Sequence, residues 1–471
     1  MIDLTAAEVA TMTGGRVVGD PDRTVTGPVV TDSRKVTPGC LFVALGGDHV
    51  DGHDFAARAV ADGAAVVLAA REVPAADGSG PVPSVVVPDV TQALGDLARE
   101  VLSRLRGDGS LQVVAVTGSV GKTTTKDLLA QLLGEHGETV WPEASFNNEI
   151  GLPLTVLRAE ATTRYLVLEM GASGPGHIDY LTAIAAPDVA AVLVVGSAHL
   201  GEFGGIEAVA RAKAEIVAGL VPGGTAVLNA DDGRVAAMAT QAPGPVLTFG
   251  AGADARVRAE EIRVDASSCA SFDLVVGEER HPVALQLVGE HHVHNALAAA
   301  AACLALGLPL DAIATRLGRA TALSPHRMQV TERPDGVTVI DDSYNANPDS
   351  MRAALKALAV RSRGRRSIAV LGAMLELGED SLRAHDEIGR LAVRLDVSRL
   401  VVVGEEARAL HLGALQEGSW GEESRLVPDV EAAAAWLEAE LEPGDVVLVK
   451  SSHGAGLWQL GERLTAEVRP R

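Results

Sequence analysis

Aromatic residues are scarce in this chain. Six Phe, three Tyr and four Trp make up 3% of 471 residues, although 47% of the sequence is hydrophobic. Its cores must therefore be packed from Ala, Val and Leu. Cysteine is nearly absent too: Cys40, Cys269 and Cys303 are far apart and odd in number. That spacing excludes a disulfide framework or a Cys-x-x-Cys site and fits a reducing compartment, so a cytoplasmic location is expected. Positive charge is in deficit, with 40 Lys and Arg against 62 Asp and Glu, a net charge of −22. This argues against a general binder of nucleic acid or membrane surfaces, since both favour positive faces. It leaves room for a phosphate ligand held by one local loop. Long apolar runs are missing as well. Nothing approaches the roughly 18–20 residues of a membrane span, and the nearest stretch, 183–198, is broken by Pro187-Asp188. The N-terminus has no basic segment followed by an apolar one, so no signal peptide is expected.

What is present begins at residue 111. The apolar run 111–116 leads into Thr117-Gly-Ser-Val-Gly-Lys-Thr-Thr-Thr125, which reads as a strand, a glycine-rich turn and a helix start. Gly118 and Gly121 let backbone N–H groups turn inward around phosphate oxygens. The helix directs its positive end at the same place. Lys122 can reach terminal phosphates and the Thr123 hydroxyl can ligate Mg²⁺. The full pattern G-x-x-x-x-G-K-[ST] requires glycine at 116, where this chain has Val116. The plainer alternative is a Gly/Ser turn followed by a solvated lysine.

The length allows two to four domains, and three α/β blocks emerge. Residues 1–108 end in a helical pattern, 90–106, and a Gly-Asp-Gly-Ser breaker. Residues 109–323 alternate short apolar strands (111–117, 165–169, 189–195, 225–229) with helices (124–134, 206–220), which predicts a parallel sheet covered on both faces. Ligands should gather at the carboxyl ends of its strands. Within this block, 254–287 is β-prone with little helix signal, suggesting an antiparallel flap or subsheet, and helix returns over 294–306. Residues 324–471 show strands at 337–340, 367–371, 400–403 and 445–450 with helices between, a second, Rossmann-like domain. It lacks a G-x-G-x-x-G fingerprint, so dinucleotide binding is not indicated. The basic run 361–366 reads as a solvated helix C-terminus.

Several residues carry a chemical and a plain reading side by side. Glu169 ends an apolar strand, where a carboxylate either completes a Mg²⁺ shell or faces solvent. His199 follows the strand 189–195 and lies near the loop by the strand-end rule, or is an ordinary loop residue. Lys213, inside a helix, reads alone as a solvated lysine. Asn147 and Asn148 in the polar loop 145–153 suit a polar substrate, but paired amides also cap helices. His291-His-Val-His294-Asn295 has no Cys or carboxylate partners at zinc spacing, and a helix N-terminus is the simpler reading. His326-Arg327 and Asp341-Asp342-Ser343 are an Arg and an acid able to meet a nucleotide across a cleft.

Taken in order, these motifs resemble the Mur ligases, ATP-dependent amide-forming enzymes of peptidoglycan synthesis. Thr31-Asp-Ser-Arg34, Gly39-Cys-Leu-Phe42 and Asp51-Gly-His53-Asp-Phe55 are similar to that family's first domain, which binds a UDP-sugar. The loop from Thr117 to Lys126, the segment 145–153 and Met374-Leu-Glu-Leu-Gly378 point to the branch that adds a dipeptide. The resemblance implies a UDP-substrate domain, an ATP-binding domain and a C-terminal domain receiving the amine. The implied substrates are UDP-N-acetylmuramoyl-tripeptide, D-alanyl-D-alanine and ATP, with two Mg²⁺, and a monomer is expected. Gly118, Ser119, Gly121, Lys122, Thr123 and Thr124 would hold the phosphates. Thr123 and Glu169 would bind one Mg²⁺, and His199 a second. Lys213 matches a lysine often carbamylated in this superfamily, which would make it a metal partner. Asn295 would contact the adenine region, Arg327 and Asp342 the nucleotide, and Ser33, Arg34, Asn147 and Asn148 the UDP-sugar-peptide. Lys122, His199 and Lys213 are thus the expected catalytic set. His292, Ala373 and His453 depart from the family pattern, which commonly has Asn, an acid and Arg there. A paralogue joining another acid and amine is the same-class rival. A phosphate-loop switch is the other, although no Asn-Lys-x-Asp base-reading motif is present.

Overall fold

The computed structural model describes residues 1–47, 50–196, 204–418 and 423–466. Three sheets organise them. The N-terminal sheet runs Arg16–Val18, Ser84–Val86, Val66–Ala69, Leu41–Val43, Val29–Val30 from edge to edge. The central sheet has nine strands. Its parallel part is Thr139–Val140, Tyr165–Glu169, Gln112–Thr117, Val189–Val192, Thr225–Asn229, Val246–Gly250 and Val257–Val264. Cys269–Val276 and Glu279–Val288 continue it antiparallel, so the β-prone stretch extends the sheet edge instead of forming a separate flap. The third sheet has six strands, all parallel except its edge strand Gln329–Glu332.

The parallel strands of the central and third sheets bury both faces under Ala, Val and Leu, as the shortage of aromatics requires, while the antiparallel extension alternates buried and exposed residues. One core is shared between blocks. Leu94, Leu97 and Val101 of the helix Val90–Leu105 pack into the same cluster as Leu152, Val156, Leu166 and Leu168. Fully burying side chains of this size stabilises by roughly 1.5–3 kcal/mol each, so the first block is held on the second by ordinary core packing. The other central face is covered by the helix His292–Ala305, whose Ala298–Ala302 run is fully buried.

The sheet order positions the ligand site. From Gln112–Thr117 the chain passes first to strands on one side and then to Val189–Val192 on the other. The crevice at its carboxyl end is a switch point, where open α/β sheets bind ligands. Local differences from expectation serve that crevice. The strand expected over 189–195 stops at Val192, because the chain then bends to the phosphate loop, where Ser119 N donates to Val194 O at 2.8 Å and Val195 N to Asp232 Oδ2 at 2.8 Å. The helix expected from 124 starts at Lys122. The basic run does follow a helix C-terminus, and Arg363 and Arg365 are exposed, but its ends are tied down: Arg361 is bonded to Glu332 and to Ser267 O, and Arg366 to Asp445. Among the described residues no helix is long and apolar enough to cross a membrane.

Candidate active site

A cavity of about 1000 Å³ opens over the switch point, lined by residues of all three sheets' domains. Its floor is the phosphate loop. Gly121 caps the helix Lys122–Gly134 with φ +86° and no side-chain capping bond, so the first N–H groups remain available to an anion. Only glycine fits there: a Cβ would collide with Asn295 Oδ1. Lys122 Nζ donates to Gly118 O at 2.7 Å and folds back over the loop. Burial, partly opposed by the Glu169 charge, holds its pKa below the usual lysine value. Ser119, Thr123 and Thr124 line the same floor.

Beside the loop lies a polar cluster. Thr123 Oγ1 donates to Glu169 Oε2 at 3.0 Å, and Asn147 Nδ2 donates to Glu169 Oε1 at 2.8 Å. Glu169 is buried in the cavity wall, so the solvent-facing alternative falls away. The two amides of the polar loop divide their work. Asn147 holds Glu169, while Asn148 Oδ1 accepts at 2.9 Å from the N–H of Gly151, the first residue of the helix Gly151–Val156. Gly171 is required where it stands, because a Cβ would press on the Asn147 amide at 2.9 Å.

Lys213 is 4% exposed and lines the cavity, contrary to its solvated reading as a lone helical lysine. It has no hydrogen-bond or ion-pair partner among the described residues. Burial, reinforced by the nearby Lys122 charge, pushes its pKa well below the ordinary lysine value. A signal in the sequence could have found it: Val209, Ala212, Ile216 and Val217 are the buried stripe of the helix Ile206–Ala218, and position 213 lies on that stripe. His199 lies outside the described residues.

The helix His292–Ala305 supplies another wall, starting two residues before the expected 294, so the histidine run is indeed a helix N-terminus. Among the described residues no three His, Cys, Asp or Glu side chains form a preformed metal cluster. Burial pushes the His291 pKa down to about 4. Asn295 Nδ2 lies 3.1 Å from His292 Nδ1, and His294 Nε2 meets Asp231 Oδ2 at 3.1 Å.

The third domain closes the cavity. Arg327 Nη2 donates to Thr123 Oγ1 at 3.1 Å and to Ser145 Oγ at 3.3 Å, and its guanidinium lies 4.3 Å from the Tyr344 ring centre. Asp342 accepts from Met328 N at 3.1 Å and from Lys450 Nζ at 2.5 Å. Tyr344, Asn345, Asn347 and Ser350 complete this wall. None of these four was singled out from the sequence, and the Asn347-Pro348 start of the helix Pro348–Arg361 was the available cue.

The N-terminal domain meets the cavity at Asp89, Thr91 and Gln92, at the start of the helix Val90–Leu105, and not at Ser33 and Arg34. Ser33 and Arg34 lie in the turn Ser33–Lys35, outside the cavity lining, with Arg34 extended on Asp32 at 2.8 Å and 88% exposed. The nearby His53 motif is architectural: buried His53 shares 2.6 Å with Asp51 and accepts from Ala70 N at 2.9 Å. Of the departures from the family pattern, Ala373 is buried in an apolar core, a poor place for an acid, and His453 stacks on Trp458 at 5.8 Å beside Tyr344.

Comparison with known proteins agrees with this arrangement. Residues 28–101 match the model described as "Mur ligase family, catalytic domain", 116–303 the "Mur ligase middle domain" and 326–453 the "Mur ligase, glutamate ligase domain". The chain is 48% identical to the UDP-N-acetylmuramoyl-tripeptide–D-alanyl-D-alanine ligase of Mycobacterium tuberculosis over 100% of both chains, and 34% identical to that of Escherichia coli over 97% of both. Among solved structures, MurF from Acinetobacter baumannii superposes with TM-score 0.86 at 32% identity over 99% of both chains. MurF from Thermotoga maritima in complex with ADP gives TM-score 0.78 at 31% identity, over 94% of this chain and 98% of that one. The chain belongs to the Mur ligase family, with the MurF type.

Proposed function

We propose that this protein is an ATP-dependent ligase that joins D-alanyl-D-alanine to UDP-N-acetylmuramoyl-tripeptide during peptidoglycan precursor synthesis. The observation that carries the reading is the single cleft in which a phosphate loop faces Arg327 and Asp342 from another domain. A monomer is the expected acting unit.

The chemistry follows from the leaving group. A carboxylate resists amines because it would have to expel oxide. Transfer of the ATP γ-phosphoryl group to that carboxylate gives an acyl phosphate and ADP. Attack by the dipeptide amine on the acyl carbon then forms the amide and releases phosphate. Charge gathers on oxygen in both steps, so Lys122, the loop N–H groups and Arg327 supply the stabilisation. Gly118, Ser119, Gly121 and Thr124 cradle the phosphates, Asn295 stands at the base side, and Asp342 with Arg327 holds the nucleotide from the third domain. Thr123 and Glu169 present oxygen donors that fit Mg²⁺, which neutralises phosphate charge when bound. His199 and a carbamylated Lys213 would serve a second ion. The buried amine of Lys213, without a partner among the described residues, suits carbamylation, since a neutral amine adds CO₂ with loss of one proton. Asn147 and Asn148 face the muramoyl-peptide, and Ser33 and Arg34, which lie outside the cavity lining, are read as contacts to its UDP end.

The test is product formation. Incubation with ATP, Mg²⁺, UDP-N-acetylmuramoyl-tripeptide and D-alanyl-D-alanine should yield the pentapeptide mass and phosphate, with phosphate release needing both acceptor and amine. Release without either would instead mark a phosphate-loop switch, and product with other pairs only would mark a paralogue.

A further inference from the structure

Beneath Arg327, next to the main cavity, lies a small void of about 10 Å³ whose lining includes Asp127, His292, Thr124 and Arg327. Three buried polar atoms of that lining have no hydrogen-bond partner: Asp127 Oδ1, His292 Nε2 and Arg327 Nε. Their roles are complementary. His292 Nδ1 lies 3.1 Å from Asn295 Nδ2, burial keeps the imidazole neutral, and Nε2 can take one hydrogen bond in either tautomer. Arg327 Nε–H is a donor. Asp127 Oδ1 is an acceptor, touching Lys126 Nζ at 2.5 Å in a geometry that makes no hydrogen bond. A donor, an acceptor and an imidazole nitrogen in the lining of a space of about one water suit a bridging water, since about 10–15 Å³ and two to four polar partners suffice. Buried orphan groups are rare in folded proteins, so three on one void call for a shared partner.

We propose that this void is a binding site for one structural water, which accepts from Arg327 Nε, donates to Asp127 Oδ1 and bonds His292 Nε2, and thereby makes Asp127 and His292 positioning residues for Arg327. The three groups belong to different parts of the molecule. Asp127 is on the phosphate-loop helix, His292 on the helix at the base side, and Arg327 on the segment entering the third domain. Asp127 Oδ2 also accepts from Ser324 N at 3.0 Å, so the same carboxylate grips the connection between the domains. Arg327 is fixed at Nη2 by Thr123 and Ser145 and on its face by Tyr344. The water fixes Nε and with it the plane of the guanidinium, so the arginine is set before a nucleotide arrives. The positioning role rests on the reading that Arg327 contacts nucleotide; the water site does not.

A high-resolution crystal structure of the full chain should show one water peak within hydrogen-bonding distance of all three atoms. No peak there, or direct pairing of the three atoms with protein groups, would overturn the site. The positioning role is read by ADP affinity in calorimetry. His292→Leu should weaken ADP about five- to tenfold, and His292→Gln, which restores a hydrogen-bonding group, should recover most of that. In an Arg327→Ala background His292→Leu should cost less than about twofold. Asp127→Asn is the second variant if His292→Leu folds poorly, with the same loss expected only when Arg327 is present. Equal losses in both backgrounds would overturn positioning through Arg327 while ADP binding itself stands. A wild-type chain with no ADP affinity would overturn the nucleotide reading and the positioning role together, leaving the water peak to decide the site.

Discussion

Two lysines are buried in opposite walls of the cleft, and they are kept in opposite ways. On the third-domain wall Lys450 is fully satisfied, donating to Asp342 Oδ2 at 2.5 Å and to Asn345 O at 2.8 Å. On the central wall Lys213 has neither a carboxylate nor a carbonyl among the described residues, and its nearest charge is the like charge of Lys122. Burial lowers both pKa values, but at Lys450 the Asp342 charge opposes it and at Lys213 no charge among the described residues does. A paired buried lysine orders its wall. An unpaired one costs stability and persists where its amine has a chemical use.

Lys122 stands between the two walls, and its loss should have the largest effect. Lys122→Ala should lower acceptor-dependent phosphate release by about a thousandfold or more, because it removes the one flexible cation over the loop. The melting temperature should barely move; near-normal turnover would refute the role. Lys213→Met comes next and sharpens the contrast: turnover should fall about a hundredfold or more while stability in urea stays equal or rises, since an unpaired buried amine is replaced by an apolar chain of similar length. Added acetate or formate should restore part of the turnover of Lys213→Ala if a carbamate is the working group. Lys450→Met should do the reverse and destabilise by about 3–5 kcal/mol, leaving Asp342 buried without its cation. Equal destabilisation by the two Met variants would break the comparison.

The smallest effect is a pH slope. A lysine whose folded pKa is lowered leaves the unfolded chain holding a proton that the folded chain lacks, between that lowered value and about 10.4. Stability should therefore rise with pH across that window, by at most about 1.4 kcal/mol per unit for one proton. In CO₂-depleted buffer the wild type should show this slope and Lys213→Met a flatter one. Parallel slopes would mean that Lys213 is not the group responsible.

The contrast also explains what the sequence could reveal. The phosphate loop was legible because its parts are contiguous: strand, glycines, Lys122 and Thr123 fall within one turn of chain. Glu169 was half legible, as an acid at a strand end whose partner Asn147 is local to the cleft but not to the sequence. Lys213 was misjudged when viewed alone, although the apolar stripe of its own helix includes it. The third-domain wall depends on contacts such as Arg327 to Thr123 and Lys450 to Asp342, spanning 204 and 108 residues, which no local pattern announces. Ser33 and Arg34 came from family resemblance, whereas the cavity recruits Asp89, Thr91 and Gln92 from the start of a helix that the sequence marks only as the end of the first block. The α/β architecture itself was plain, because short uninterrupted apolar strands alternate with helices through most of the second and third blocks.

The central claim is that ATP is spent on activating a carboxylate held in this cleft. It is tested most directly with UDP-N-acetylmuramoyl-tripeptide labelled with ¹⁸O in its terminal carboxylate, turned over with ATP and D-alanyl-D-alanine, and mass analysis of the phosphate released. The account predicts one labelled oxygen in each phosphate, carried over from the acid as the amide forms. Amide product accompanied by unlabelled phosphate would contradict it.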